Sequence, residues 1–236
     1  MTIDLKKNFV QYEALVHIVD AVFQRVKKEY PKEVFCREKC SDCCYAIFDL
    51  TLIEALYIKD KFLKKFSGRQ KNAILEIADK TDRALTRMKK EAYKEVKNGA
   101  NELDIVGKMS MERVRCPLLS EDNLCLLYES RPLTCRVYGI PISTAGSSHI
   151  CGRTEFKQGE PYPTLNMDKM YSQLQLLSAQ LIKDIGSRHI KMHELLIPVS
   201  MSLITNFDDE YLGIGTKPAK NAGQCQSAKH SSVRKL

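Results

Sequence analysis

The chain has no long apolar run. Within its 236 residues the most apolar late stretch, 195–204, is short and broken by Pro198, well under the roughly 20 residues that a bilayer-crossing helix needs. The opening MTIDLKKNFV carries no apolar run after its charges, so a secretory leader is not expected. Nor is there a collagen-like or low-complexity repeat. With 44% hydrophobic and 28% charged residues, the composition is that of an ordinary globular protein, long enough to bury a core without staples. A soluble, cytoplasmic protein is the expectation. No glycine-rich loop follows a strand-like run, so a conventional methyltransferase site is not readable. The lysine-rich segments lack the aromatic and glycine pattern of an RNA-binding module, so nucleic acid is not an expected partner.

Cysteine is what the chain does have. Nine are present, below the density of a disulfide scaffold, and a cytoplasmic chain keeps its thiols reduced. Clustered reduced thiols point to metal or redox chemistry. Eight of them form two groups, Cys36-x3-Cys40-x2-Cys43-Cys44 and Cys116-x8-Cys125-x9-Cys135-x15-Cys151. The ninth, Cys225, stands apart in a polar tail and is left out of the site. Thiolates two or three residues apart converge on one centre because a tight turn brings their sulfurs together. Adjacent side chains diverge, so Cys43 and Cys44 serve either two centres or as one ligand and one spectator. Four plus four suits two tetrathiolate sites or one larger polynuclear site.

Zinc and iron both accept four thiolates. Structural zinc usually sits on paired C-x2-C knuckles, and neither group contains two such pairs. The wide spacing of the second group suits a cluster wrapped by loops, which favours iron–sulfur, of the 4Fe-4S type, over zinc. His149, two residues before Cys151, is within reach as a ligand or as a partner to one, but it reads better as an exposed loop residue. Cys36-x3-Cys40-x2-Cys43 also has the spacing of radical S-adenosylmethionine enzymes, but Asp42 stands where those carry an aromatic residue, and few strands are readable. Arg131 and Arg136 flank Cys135; guanidinium groups there would offset thiolate charge and donate to sulfur. Their other reading is surface pairing with Glu129, Glu121 or Asp122. No catalytic residue is identifiable.

Periodicity supplies the frame. Apolar residues recur at spacings of three and four over 3–30, where Pro31 ends the run. Thr51 and Glu54 form a capping-box pattern at the start of a helix over 50–66. A second helix over 69–97 ends at Asn98-Gly99, as a C-cap would, so 50–98 is expected to be a helical hairpin. A short extended piece covers 124–128, and Arg131-Pro132 opens a short helix through Tyr138. The aperiodic stretch 139–164 is expected to be an ordered loop tied down through Cys151. Helices follow over 167–185 and 198–207. The expected fold is therefore mainly α: one irregular helical domain over 1–216, wrapped around a cysteine-ligated metal centre, with few short strands and a basic flexible tail over 217–236.

Charge is uneven. Between Lys59 and Asn98 there are 13 Lys or Arg against 6 Asp or Glu, and the tail adds +5 with no acid. Taken from the net +8, this leaves −4 for the remainder, including all eight grouped cysteines. The basic hairpin is thus separate from the cysteines. It would steer an acidic protein or a redox partner, unless it is simply a solvated helix face.

Together these residues resemble the YkgJ-type cysteine-cluster family, whose pattern is a C-x2-C-x2-C-C knot followed by CPLL…C-x2-Y-x2-RP-x2-CR-x-Y. The second part is carried by Cys116-Pro117-Leu118-Leu119 and then by Cys125, Tyr128, Arg131-Pro132, Cys135-Arg136 and Tyr138. The knot departs by one residue, because three residues rather than two separate Cys36 from Cys40. The resemblance covers about 36–151 and implies zinc or iron chelation. One branch of the family is similar to flagellin lysine N-methylases, which implies methyl transfer from S-adenosylmethionine. The expected function is an iron–sulfur protein with a redox or electron-transfer role. The alternatives are a zinc-binding structural module and an S-adenosylmethionine-dependent protein lysine methyltransferase.

Overall fold

The three-to-four spacing of apolar residues near the start of the chain produces a long helix, α1 (Lys6–Glu29), which buries Phe9, Tyr12, Val16, Val19 and Val26 along one stripe. The computed structural model describes residues 3–215; the expected basic tail over 217–236, with Cys225, lies outside them. Helix α2 (Leu52–Lys65) is buried without interruption from Leu52 to Ile58, as a helix enclosed by neighbours must be. Helix α3 (Gly68–Lys97) buries only Ile74, Ala78 and Leu85, so most of its charged surface faces water. The remaining helices are α4 (Glu102–Met111), α5 (Leu133–Val137), α6 (Met167–Asp184) and α7 (Val199–Ile204).

The strands are short. β1 (Asp49–Leu50) pairs antiparallel with β5 (Ile197–Pro198), which brings α7 back beside the start of α2. β2 (Ile142–Thr144) pairs antiparallel with β3 (Ser147–His149) and parallel with β4 (Leu165–Asn166). The fold is mainly α with few short strands, as expected. Among the described residues no helix is long and apolar enough to cross a membrane.

Helix α7, about 100 residues downstream, packs against both α2 and α3. Two local expectations need correction. The stretch 139–164 is not all loop, since it contains the β2–β3 hairpin. Ala145 and Gly146 occupy its turn with φ of 49° and 78°, the left-handed pair that a two-residue hairpin turn requires. Between Cys116 and Cys135 the expected extended piece reduces to an isolated bridge, Leu119 to Cys125, followed by a single 3-10 turn at Tyr128–Ser130.

Candidate metal centre

The first cysteine group is shaped by two turns. Cys40 N–H donates to Arg37 O at 3.0 Å, and Lys39 takes a φ of 65°. This is where the additional residue of the Cys36–Cys40 spacing is absorbed. A 3-10 turn at Asp42–Tyr45 then presents Cys43 and Cys44, of which Cys44 is buried. The second group is stitched onto this turn by backbone. Cys116 N–H donates to Cys44 O at 2.7 Å, and Val114 N–H donates to Tyr45 O at 3.0 Å. A tight reversal follows, with Leu126 N–H on Leu118 O at 2.8 Å and Asn123 at a φ of 60°, which returns Cys125 alongside Cys116.

Cys135 arrives on α5, a helix too short to stand alone and held by two buried charges. Glu54, 2% exposed, accepts from Thr51 N–H at 3.2 Å, from the Thr51 hydroxyl at 3.1 Å, and from Leu133 N–H at 3.0 Å. One carboxylate thus caps α2 and α5 together. Its pKa is raised by burial, against the lowering effect of those donors. On the other side Arg136 donates to Asp20 of α1 at 2.6 Å, to Arg131 O at 2.8 Å and to Glu129 O at 2.5 Å. None of these bonds reaches sulfur, so Arg136 anchors α5 rather than tuning the thiols. Arg131 does face them: it lines the same cavity as six of the cysteines, and its charge favours the thiolates of Cys43 and Cys125.

That cavity has a volume of about 480 Å³, and Cys40, Cys43, Cys44, Cys116, Cys125 and Cys135 lie on its wall. The thiols therefore mix the two sequence groups instead of separating into them. Cys36 and Cys151 are outside the cavity lining. The Cys36 sulfur is packed on the backbone of Gly139, where a Cβ would lie 2.0 Å from it; glycine is required for that approach. Cys151 Sγ donates to Asp42 Oδ2 at 3.6 Å. The other oxygen of Asp42 accepts from Arg113 at 2.6 Å and from Arg153 at 3.3 Å. Asp42 thereby ties the Cys151 loop and the segment after α4 to the first cysteine turn.

Thiol acidities follow from these contacts. The neighbouring Cys135 and Cys44 thiols and the Arg131 charge pull the Cys43 pKa down, against the effect of burial. Cys135 and Cys44 are pushed up, with burial adding to the shift. Burial raises Cys36 and Cys116 to about 12, and it also raises Cys125 and Cys151.

All eight grouped cysteines are free thiols. Soft sulfur donors in this number fit zinc or iron by their chemistry. A preformed single-ion cage is a different matter: among the described residues no three His, Cys, Asp or Glu side chains form a group that could hold one ion. The arrangement is a wall of thiols along a cavity. His149 lies in β3 with its side chain exposed, as expected. Sequence reasoning missed Asp42 as a tether, the bond from Leu133 to Glu54, and Asp20. A carboxylate beside the apolar stripe of α1 was the available signal for Asp20. The other two bonds join residues too far apart in the chain to leave a local one.

A family model described as "Putative zinc- or iron-chelating domain", CxxCxxCC, matches residues 35–152, half of the chain. No curated protein and no solved structure matches it.

Proposed function

The chain belongs to the CxxCxxCC family, described as a "Putative zinc- or iron-chelating domain", and from that premise we propose that it is an iron–sulfur protein with a redox or electron-transfer role. The observation that carries this reading is the single wall of six thiols, drawn from both sequence groups, on one cavity. A lone ion would need only four sulfurs closing around it, whereas a polynuclear group makes use of a broad wall. When bound, such a cluster supplies one-electron chemistry. The chain's own contribution is to hold the donors. Three pieces of backbone fix them: the 3-10 turn with Cys43 and Cys44, the 116–126 reversal with Cys116 and Cys125, and the doubly anchored α5 with Cys135. Arg131 supplies positive charge beside the sulfurs, which offsets the charge of bunched thiolates.

A cytoplasmic location belongs to the same proposal, as does docking of an acidic redox partner on the lysine- and arginine-rich outer face of α3. The test is iron and sulfide analysis with a visible spectrum on protein purified without oxygen. Brown protein that bleaches on reduction, with iron and sulfide in equal amounts, is the expected result. Colourless protein carrying zinc would overturn the redox reading. It would make the centre a structural one whose removal by chelator unfolds the chain.

A further inference from the structure

The cavity extends beyond its thiols. Thr81 and Leu85 of α3, Ile58 of α2 and Val199 of α7 form a stretch of lining with no sulfur in it, and Ile58 and Leu85 are buried. A thiolate-held group sits within bonding distance of its sulfurs, about 2.3 Å for zinc, and these residues offer it no thiolate. The whole volume, about 480 Å³ including the space beside the thiols, falls within the roughly 300–1,000 Å³ typical of small-molecule sites.

The charges on the lining are one-sided. Arg37, Lys39, Arg115 and Arg131 are set against one carboxylate, Glu38. Arg115 is paired with Glu121. Among the described residues Arg37, Lys39 and Arg131 are in no ion pair. Arg131 is also held in place: its Nε donates to Tyr128 O at 2.9 Å, and its guanidinium lies 3.6 Å from the centre of the Tyr128 ring. Its terminal nitrogens remain available to a bidentate acceptor. Arg37 and Lys39 are exposed, which puts the cations at the entrance and the apolar residues at the floor.

From this we propose that the cavity is a ligand chamber for a small amphiphilic organic anion. Its apolar body lies on Ile58, Leu85 and Leu118, and its anionic head meets Arg131 with Arg37 and Lys39. The proposal goes beyond the metal reading and does not depend on which metal the thiols hold.

Calorimetric titration of the protein as purified, with octanoate and separately with 1-octanol, tests it. Octanoate is expected to bind one per chain, about tenfold or more tighter than the neutral alcohol, as a charge-assisted contact dictates. Arg131→Gln, compared with wild type at equal metal content, should bring octanoate down to the level of octanol and leave octanol unchanged. Thr81→Trp should fill the chamber and abolish both. The chain has no tryptophan, so the emission of the introduced indole reports whether it is buried there. If that variant fails to fold, Arg131→Gln, altered at the entrance, still decides. No saturable heat with octanoate, equal affinity for acid and alcohol, or unchanged binding in Arg131→Gln would overturn the chamber. If Thr81→Trp folds but loses bound metal along with octanoate, the space is the metal's own seat; the chamber then falls and the metal reading stands. If the wild type binds octanoate but holds no metal, the reverse is true.

Discussion

Replacing Glu54 with alanine should weaken the fold and loosen Cys135 in particular. The carboxylate accepts three hydrogen bonds inside the protein, two of them from the backbone N–H groups of Thr51 and Leu133. A buried donor left without a partner costs roughly 1–3 kcal/mol. The Thr51 hydroxyl can rotate toward another acceptor and is not counted. Two orphaned N–H groups therefore cost about 2–6 kcal/mol, and relief of the buried carboxyl's own desolvation offsets part of this. A net loss of about 2–4 kcal/mol follows. Glu54→Gln keeps one acceptor oxygen and turns the other into a donor, so it should lose about half as much. Urea unfolding of the two variants measures both figures. The site-specific part is read by iodoacetamide labelling of metal-free protein, in which Cys135 should react faster once Leu133 is released. Stability within about 0.5 kcal/mol of wild type in Glu54→Ala, or a large loss of stability with Cys135 labelling unchanged, would refute the idea that this carboxylate holds α5 in place.

The same residue sets a pH dependence. Its folded pKa is raised by burial above the ordinary glutamate value of 4.5, so the folded chain keeps a proton that the unfolded chain has released. Stability should be fullest below that value and fall as pH rises through the raised one; Glu54→Gln should lack this component in parallel urea titrations. Gly139→Ala places a Cβ 2.0 Å from Cys36 Sγ and 3.3 Å from Cys36 Cβ, an overpacking of about 1–3 kcal/mol. The cost should largely disappear when Cys36 is also alanine, and thermal unfolding of the double-mutant cycle checks this. Asp42→Asn should cost only about 1 kcal/mol, because Arg113 and Arg153 are well exposed and their pairing is screened. It should nonetheless speed alkylation of Cys151, whose thiol loses both a carboxylate acceptor and a neighbouring negative charge; an unchanged rate would mean that Asp42 is not the tether.

What could be read from the chain was whatever has a local period or a local cap. α1, α3 and α6 announce themselves by apolar residues three and four apart, and the capping box at Thr51 and Glu54 forms as the motif predicts. α4 left no such mark, because Leu103 and Val106 are 80% and 58% exposed while Ile105 alone is buried. Its one signal was Asn101, whose side chain accepts from Leu103 and Asp104 N–H. At the site, the cysteines were legible by spacing, but their grouping was not. Sequence order sorts them four and four. The backbone ribbon between Cys44 and Cys116 brings both groups together, six of them line one cavity, and Cys36 and Cys151 are drawn off by Gly139 and Asp42. Arg131 and Arg136 look equivalent around Cys135 in the sequence. Their roles diverge because α1 happens to offer Asp20 to only one of them. Such partners are chosen by tertiary packing, which no local pattern encodes.

Whether the thiols on the cavity wall hold the metal is decided by metal content per chain in wild type, Cys135→Ser and Cys225→Ser, purified side by side without oxygen. Cys135→Ser should lose most of its bound metal and Cys225→Ser should match wild type. Equal metal in all three would contradict the account.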